Sequence, residues 1–141
     1  MDYGHLLVAY EGSSRGDETV RAADAMARRS GTRLTVVVVV ALERPTRWVT
    51  RFPRQTAVWN DVLLDAARAD LERAARSLEV PAELTVLFGS TARALADGAE
   101  EFGCDAIMLP ARPRGPLTGL LADHRAAAVR RRASCPVLVP G

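Results

Sequence analysis

The chain alternates between short runs of apolar residues and longer stretches in which apolar residues recur every three or four positions. Short runs bounded by glycine, proline and polar clusters are typical of buried strands, and the longer spacing is typical of amphipathic helices. The pattern predicts strands at 5–10, 33–42, 83–88, 105–109 and 136–139, and helices at 17–30, 58–78, 91–102 and 120–133.

The second predicted strand contains five consecutive valines, residues 36–40. β-Branched side chains lose rotamer freedom in a helix but pack well in a sheet. A run without polar alternation indicates a strand covered on both faces. Because strands alternate with helices throughout, we predict an α/β fold with a five-stranded parallel sheet, doubly wound through right-handed crossovers. The length, 141 residues, fits one domain spanning 1–141.

In a doubly wound sheet, ligands bind beyond the carboxyl ends of the strands, where the strand order reverses. This rule directs attention to the turn 11–14, to the end of the valine strand and to the proline-rich segment 110–119, which we expect to be a loop. Glu11 supplies a carboxylate in the first of these, and Arg112 and Arg114 supply guanidinium groups in the last. Guanidinium groups could hold an anion there, although a solvated basic loop is the simpler interpretation.

Composition excludes few classes of function. All 19 basic residues are arginine, yet the net charge is only +2, which is too mild to indicate nucleic-acid binding by itself. The predicted loop 43–55 interleaves arginine with Trp48 and Phe52, a mixture that single-stranded nucleic acid favours. The same mixture is expected in any connection of an arginine-rich protein, so nucleic acid is the less favoured interpretation.

Membrane insertion and secretion are not expected. The longest apolar run, 36–42, is far shorter than the roughly 20 residues of a membrane span. The first residues do not form the basic region of a signal peptide. We therefore expect a cytoplasmic location.

No residue set has the pattern of a catalytic or metal site. His5 and His124 are far apart in the sequence and fit no metal-ligand spacing, so we expect surface or incidental histidines. Cys104 and Cys135 are outside any CxxC pair and are expected to be small buried side chains. Ser13 has no identified base. A phosphorelay receiver is excluded because it requires a lysine, and no glycine-rich dinucleotide motif follows a strand.

Five segments of the chain resemble the universal stress proteins, in the order and at the spacing of that family. They are LLVAYEGS, RLTVVVVV, LFGSTARAL, GCDAIMLPARPRG and ASCPVLVPG, and they are distributed along nearly the whole length. No segment is specific alone, but the ordered set is. The resemblance implies a Rossmann-like, adenine nucleotide alpha hydrolase-like fold and a non-enzymatic role in stress response or signalling, with an unidentified protein partner.

The family divides into members that bind ATP and members that do not. The binders carry Gly-x-x-Gly after the fourth strand and, nine residues later, Gly-Ser or Gly-Thr. Those positions fall here on Pro110, Pro113, Asp123 and His124. Proline lacks the N–H that a phosphate would accept, and a carboxylate at 123 would repel a triphosphate. We therefore expect no ATP and no other cofactor.

The alternative is a nucleotide or anion sensor with a rebuilt site, which would take ATP or AMP as ligand. The resemblance places the family's first-strand aspartate at Glu11, which keeps the charge on a longer arm. The residues of this rebuilt site would lie at the ends of three strands and in the following loop: Ala9, Glu11, Val39, Leu109, Arg112 and Arg114.

The last strand predicts an assembly. It is short and apolar, and its topology places it at a sheet edge, where an open ladder invites pairing with another chain. Universal stress proteins commonly dimerise by laying this strand antiparallel against its twofold mate. The resemblance therefore implies a homodimer whose interface contains Val137, Leu138 and Val139.

Overall fold

The computed structural model describes residues 3–41, 53–110 and 116–140, with side chains at 3–41, 60–110 and 124–140. Five strands and four helices alternate in these ranges. The strands are β1 (His5–Ala9), β2 (Arg33–Val40), β3 (Ala82–Phe88), β4 (Ala106–Met108) and β5 (Val137–Leu138). The helices are α1 (Ser14–Ser30), α2 (Pro53–Arg76), α3 (Thr91–Phe102) and α4 (Pro116–Arg132).

The strands form one parallel sheet in the order β3-β2-β1-β4-β5. β1 lies at the centre, with Leu6 opposite Leu34 of β2 on one side and opposite Ala106 of β4 on the other. The strand order reverses between β1 and β4, so the topological switch point lies at their carboxyl ends. The predicted α/β fold with a five-stranded parallel sheet is confirmed.

Helices cover both faces of the sheet. One apolar cluster contains residues of α1 and α2, such as Val20 and Leu71, and we call this side the α1/α2 face. A second cluster contains residues of α3 and α4, such as Leu95 and Val129, and marks the α3/α4 face. The valine strand β2 contributes alternately to both clusters, as a strand buried on two sides must.

The first helix has both of its ends capped. The Ser13 hydroxyl accepts a hydrogen bond from the Gly16 amide at 3.2 Å, which satisfies a free donor of the first turn. Gly31 adopts φ 70° after the last turn, and its amide donates to the Ala27 carbonyl. Glycine favours this left-handed conformation because it has no Cβ. The predicted end of this helix at residue 30 is confirmed.

Three helix starts were predicted too late, and that of α1, at Ser14, was missed by three residues. α2 begins at Pro53, inside the predicted loop 43–55, and α4 begins at Pro116, inside the predicted loop 110–119. Proline is favoured in the first turn of a helix because its fixed φ fits and its missing N–H is not needed there. Reading these two prolines as loop residues caused both errors. Residues 42–52 and 111–115 lie outside the described residues, and most of the predicted loop 43–55 falls there.

His5 does not lie on the surface, one of the two positions predicted for it. His5 is 8% exposed, because it lies in the central strand on the α3/α4 face, and its Nε2 lies 2.7 Å from the Thr35 hydroxyl. The backbone amides of Gly4 and His5 both donate to the Asp105 carboxylate, at 2.8 and 3.1 Å. Asp105 thus joins the start of the fourth strand to the start of the first. These hydrogen bonds lower the pKa of Asp105.

Cys104 is buried at 9% exposure, as expected, and Cys135 is half-buried. Among the helices that the structure describes, none combines the length and the apolar character that crossing a bilayer requires.

Candidate functional site

The carboxyl ends of β1, β2 and β4 bring together three of the residues predicted for a ligand site. Ala9 and Leu109 are 8% and 6% exposed, and Val39 is half-buried. All three pack on the α3/α4 face. They form an apolar floor beside the switch point, which could contact a flat apolar group but offers no side-chain donor.

Glu11 directly follows the last residues of the central strand, but its carboxylate is turned toward the start of α1. Its Oε1 accepts a hydrogen bond from the Ser13 hydroxyl at 2.9 Å and lies 3.6 Å from the Arg15 guanidinium. The same hydroxyl caps the helix by accepting from Gly16. Glu11, Ser13 and Arg15 are therefore partners of one another, and the Ser13 hydroxyl is already engaged on both sides.

The remaining predicted site residues lie elsewhere. Arg112 and Arg114, together with Pro113, fall outside the residues that the structure describes. Pro110 is half-buried directly after Leu109. Asp123, the position of the glycine in the family's Gly-Ser or Gly-Thr pair, lies well inside α4, and His124 follows it on an exposed part of the helix.

A partly exposed ion-pair network connects the turn after β1 with α1 and α2, and the sequence did not predict it. The Tyr10 hydroxyl donates to Asp17 Oδ1 at 2.6 Å, and Arg73 of α2 reaches Asp17 Oδ2 at 2.6 Å. Arg73 lowers the pKa of Asp17 by stabilising the carboxylate. Burial, and then the hydrogen bond to that carboxylate, raise the pKa of Tyr10 well above its usual range. The tyrosine therefore stays a neutral donor at any physiological pH.

Arg73 also reaches the backbone of the turn. Its Nη1 donates to the Gly12 carbonyl at 3.2 Å. Gly12 adopts φ 58°, and a Cβ at this position would overlap the carboxyl group of Asp70. Burial raises the pKa of Asp70. Residues Asp70 and Arg73, one helical turn apart, thus fix the turn after β1 against α2.

The only sequence signal for this network is the spacing of Asp70 and Arg73 on one face of α2. Such a pair is common on exposed helices and identifies no partner. Tyr10 closes an apolar run, which predicts burial but not the direction of its hydroxyl. The network therefore becomes visible only when the fold brings α1, α2 and the turn together.

Metal chemistry has no geometric support here. Within the ranges that the structure describes, no three side chains of His, Cys, Asp or Glu are placed to hold a metal ion together.

The comparisons with known proteins agree on one family. The family model "Universal stress protein family" matches residues 2–140. A universal stress family protein from Burkholderia pseudomallei has 23% identity and a TM-score of 0.75, with 98% of this chain and 96% of that chain covered. The universal stress protein UspA from Lactobacillus plantarum has 20% identity and a TM-score of 0.71, with 100% and 99% covered.

A third solved structure, a universal stress protein in complex with cAMP, has 19% identity and a TM-score of 0.65, with 100% of this chain and 98% of that chain covered. No curated protein matches significantly. The family model spans nearly every residue, and the solved structures share the fold. The chain therefore belongs to the universal stress protein family.

Proposed function

We propose that this universal stress protein is a non-enzymatic, cytoplasmic stress-response or signalling protein that does not bind ATP at the family's glycine motif. The observation that carries the proposal is the course of α4, which runs without interruption from Pro116 to Arg132. A phosphate site at Asp123 and His124 would need free backbone amides, and an α-helix leaves only its first four amides free.

Asp123 is the eighth residue of this helix, counting from Pro116 as the first. Its amide lies beyond the first turn, where the helical hydrogen bond to the residue four positions earlier uses the N–H. An aspartate side chain at the same position adds negative charge. Both effects oppose a triphosphate, which needs donors and positive charge.

The first part of the motif is also unsuited to phosphate. Pro110 has no N–H, so it cannot donate where glycine would. Glu11 Oε1 is engaged with Ser13 and Arg15 at 2.9 and 3.6 Å, so a ribose hydroxyl would share the carboxylate with these partners. The apolar floor of Ala9, Val39 and Leu109 is compatible with the alternative function, in which an adenine-type ring binds without a triphosphate. AMP and cAMP are therefore the most informative probes beside ATP.

Thermal unfolding in the presence of nucleotide tests this proposal. We expect no change in Tm with millimolar magnesium-ATP, AMP or cAMP. A ligand at 100 times its Kd would stabilise the fold by about 2.7 kcal/mol, which raises Tm measurably. A rise with ATP would contradict the proposal. A rise with AMP or cAMP alone would favour the sensor with a rebuilt site.

Matched variants locate any response that does appear. Glu11→Gln removes the carboxylate at the end of β1, whereas Glu101→Gln changes an exposed carboxylate of α3 at the opposite end of the sheet. A nucleotide-dependent rise that is lost in Glu11→Gln and kept in Glu101→Gln would assign the ligand to the switch point.

We also propose that the protein acts as a homodimer through β5. This strand is at the end of the sheet order and has β4 as its neighbour, and Val137, Leu138 and Val139 are all half-buried. An open apolar edge favours pairing with another strand. Pro136 and Pro140 confine the pairing to about three residues, since proline cannot donate to a ladder.

A further inference from the structure

We propose that Cys104 and Cys135 are a redox modification site: a small-molecule disulfide such as oxidised glutathione converts them to an intramolecular disulfide that ties the edge strand β5 to β4. The proposal is independent of nucleotide binding. It depends on the register of two strands and on the face to which the two thiols point.

The two cysteines occupy equivalent places before neighbouring strands. Cys104 lies two residues before β4 begins, and Cys135 lies two residues before β5 begins. Ile107 and Val137 form the first pair of the parallel ladder, and Cys104 and Cys135 precede that pair by three and two residues. The two cysteines therefore lie at the same end of two neighbouring strands.

The spacing of neighbouring strands suits a disulfide, since parallel strands lie about 4.8 Å apart. Disulfides span Cα separations of roughly 4.4–6.8 Å. The Ile107 amide donates to the Pro136 carbonyl at 2.9 Å, which holds the two segments together directly beside Cys135.

Both thiols point to the same side of the sheet. Cys104 is a member of the apolar cluster on the α3/α4 face, and Cys135 packs against that cluster. A disulfide requires side chains that converge, and two cysteines on opposite faces of a sheet could not react. The two thiols also interact electrostatically. Burial, and then the neighbouring Cys135, raise the pKa of Cys104 to about 11.

The unequal burial of the two thiols sets the order of reaction. Cys135 is half-buried, whereas Cys104 is 9% exposed, so an oxidant in solution reaches Cys135 first. Burial and the charge of Asp105 raise the pKa of Cys135 as well. Around Cys104, Glu83 acts in the same direction as Asp105 and Arg33 opposes them. Because the thiolate is the attacking form, reaction is slow at neutral pH and accelerates as pH rises.

The chemistry balances with glutathione disulfide as the only oxidant. Cys135 loses its thiol proton to water, and the thiolate attacks one glutathione sulfur; the S–S bond breaks and releases one glutathione. The Cys104 thiolate, after the same loss of a proton, attacks the Cys135 sulfur of this mixed disulfide and releases the second glutathione. Two protein thiols are oxidised, one glutathione disulfide is reduced to two thiols, and no other electron acceptor is needed.

The bond would act on the least anchored strand of the sheet. β5 has two ladder residues in the described structure, Val137 and Leu138, and both pair with β4. A link between Cys104 and Cys135 closes a loop that contains β4 and α4, which limits how far the edge can separate from the sheet. Oxidation would therefore fix the edge at which we place the dimer contact.

The test is mass spectrometry of the folded protein after incubation with reduced and oxidised glutathione at a series of ratios, with free thiols trapped by alkylation. We expect wild-type protein to lose two hydrogens in mass. Digestion after arginine should then yield fragments 94–114 and 133–141 as one linked species that separates on reduction. The oxidised protein should show a higher Tm than the reduced protein.

Single variants distinguish the two roles. Cys104→Ser should accumulate one glutathione on Cys135, since no second thiol can displace it. Cys135→Ser should stay unmodified under the same conditions because Cys104 is buried. Three results would overturn the proposal: wild-type protein that stops at a glutathione adduct on Cys135, a disulfide between the Cys135 residues of two chains, or no reaction at ratios that oxidise the unfolded chain.

Discussion

Asp17 bonds the Tyr10 hydroxyl through one carboxylate oxygen and the Arg73 guanidinium through the other, each at 2.6 Å. One carboxylate on α1 therefore connects the end of the central strand with the last turn of α2. The side chain of Asp17 is 13% exposed, and that of Arg73 is 45% exposed. The pair is partly shielded from water, so its loss affects stability more than the loss of a fully exposed pair does.

Replacing Asp17 with Asn keeps the shape of the side chain and removes its charge. We expect a loss of about 1–3 kcal/mol in the free energy of unfolding, since a shielded hydroxyl and a guanidinium each lose a charged acceptor. Urea denaturation measures the difference. Asp97→Asn is the control, because Asp97 pairs with Arg93 at 3.7 Å on an exposed surface.

The same pair should make stability depend on pH. Because Arg73 lowers the pKa of Asp17 in the folded state, the charged form stabilises the fold above the ordinary aspartate pKa. This contribution is lost as pH falls through the lowered pKa. The stability difference between wild type and Asp17→Asn should therefore shrink below about pH 4. A difference that stays constant from neutral pH to pH 2 would show that the charge on Asp17 contributes nothing.

Gly12 should not tolerate a side chain while Asp70 is present. Gly12→Ala places a Cβ against the Asp70 carboxyl group at φ 58°. The left-handed conformation alone costs about 1–2 kcal/mol for a residue with a Cβ. We expect the Gly12→Ala penalty to be smaller in an Asp70→Ala background, as measured by a double-mutant cycle of unfolding free energies. Equal penalties in both backgrounds would mean that Asp70 does not restrict the turn.

Asp24 of α1 is a buried carboxylate that binds the connection between α2 and β3. It is 3% exposed and accepts hydrogen bonds from the Glu79 and Val80 amides at 2.8 and 3.1 Å. Asp24→Ala should destabilise the protein by about 2–3 kcal/mol, because two buried amides lose their charged acceptor. Arg28→Gln should cost much less, since Arg28 contacts Asp24 at 3.2 Å but is 53% exposed. Comparable losses in the two variants would contradict this assignment.

The proposed dimer predicts a different response at each edge of the sheet. Light scattering of wild-type protein at tens of micromolar should give the dimer mass. Val139→Asp should give a monomer, because a carboxylate would be buried without a partner at the edge or on the core beside it. Leu84→Asp makes the same kind of change on β3, the other edge strand, where Leu84 is already 40% exposed, and should leave the mass unchanged. A wild-type monomer, or a dimer lost only in Leu84→Asp, would rule out the β5 interface.

The fold was predictable because its main determinants are local. The unbroken valine run of β2 indicates burial on both faces. Gly31 and Gly103 indicate helix ends because glycine favours the left-handed conformation found there. The starts of α2 and α4 were not predicted, since a proline is compatible both with a loop and with the first turn of a helix. The sequence does not distinguish those two settings.

The candidate site was predictable only in part. Ala9, Val39 and Leu109 follow from the rule that ligands bind at strand ends, and the structure brings them together. The partners of Glu11 come from the rotamers of its neighbours. Gly12 and Asp17 both contact Arg73 of α2, which is 61 and 56 positions away in the sequence. Hydrophobic periodicity carries no information about such polar contacts across the fold.

The central position of β1 has a consequence for synthesis on the ribosome. β1 pairs with β2 early in the chain, but its other neighbour, β4, begins at Ala106, and Asp105 bonds the Gly4 amide across 101 positions. One edge of β1 must therefore wait until most of the polypeptide has emerged. During that interval an apolar strand has an unpaired ladder, and exposed edges of this kind promote association between nascent chains. The first half of the chain therefore carries an unpaired strand edge throughout this interval.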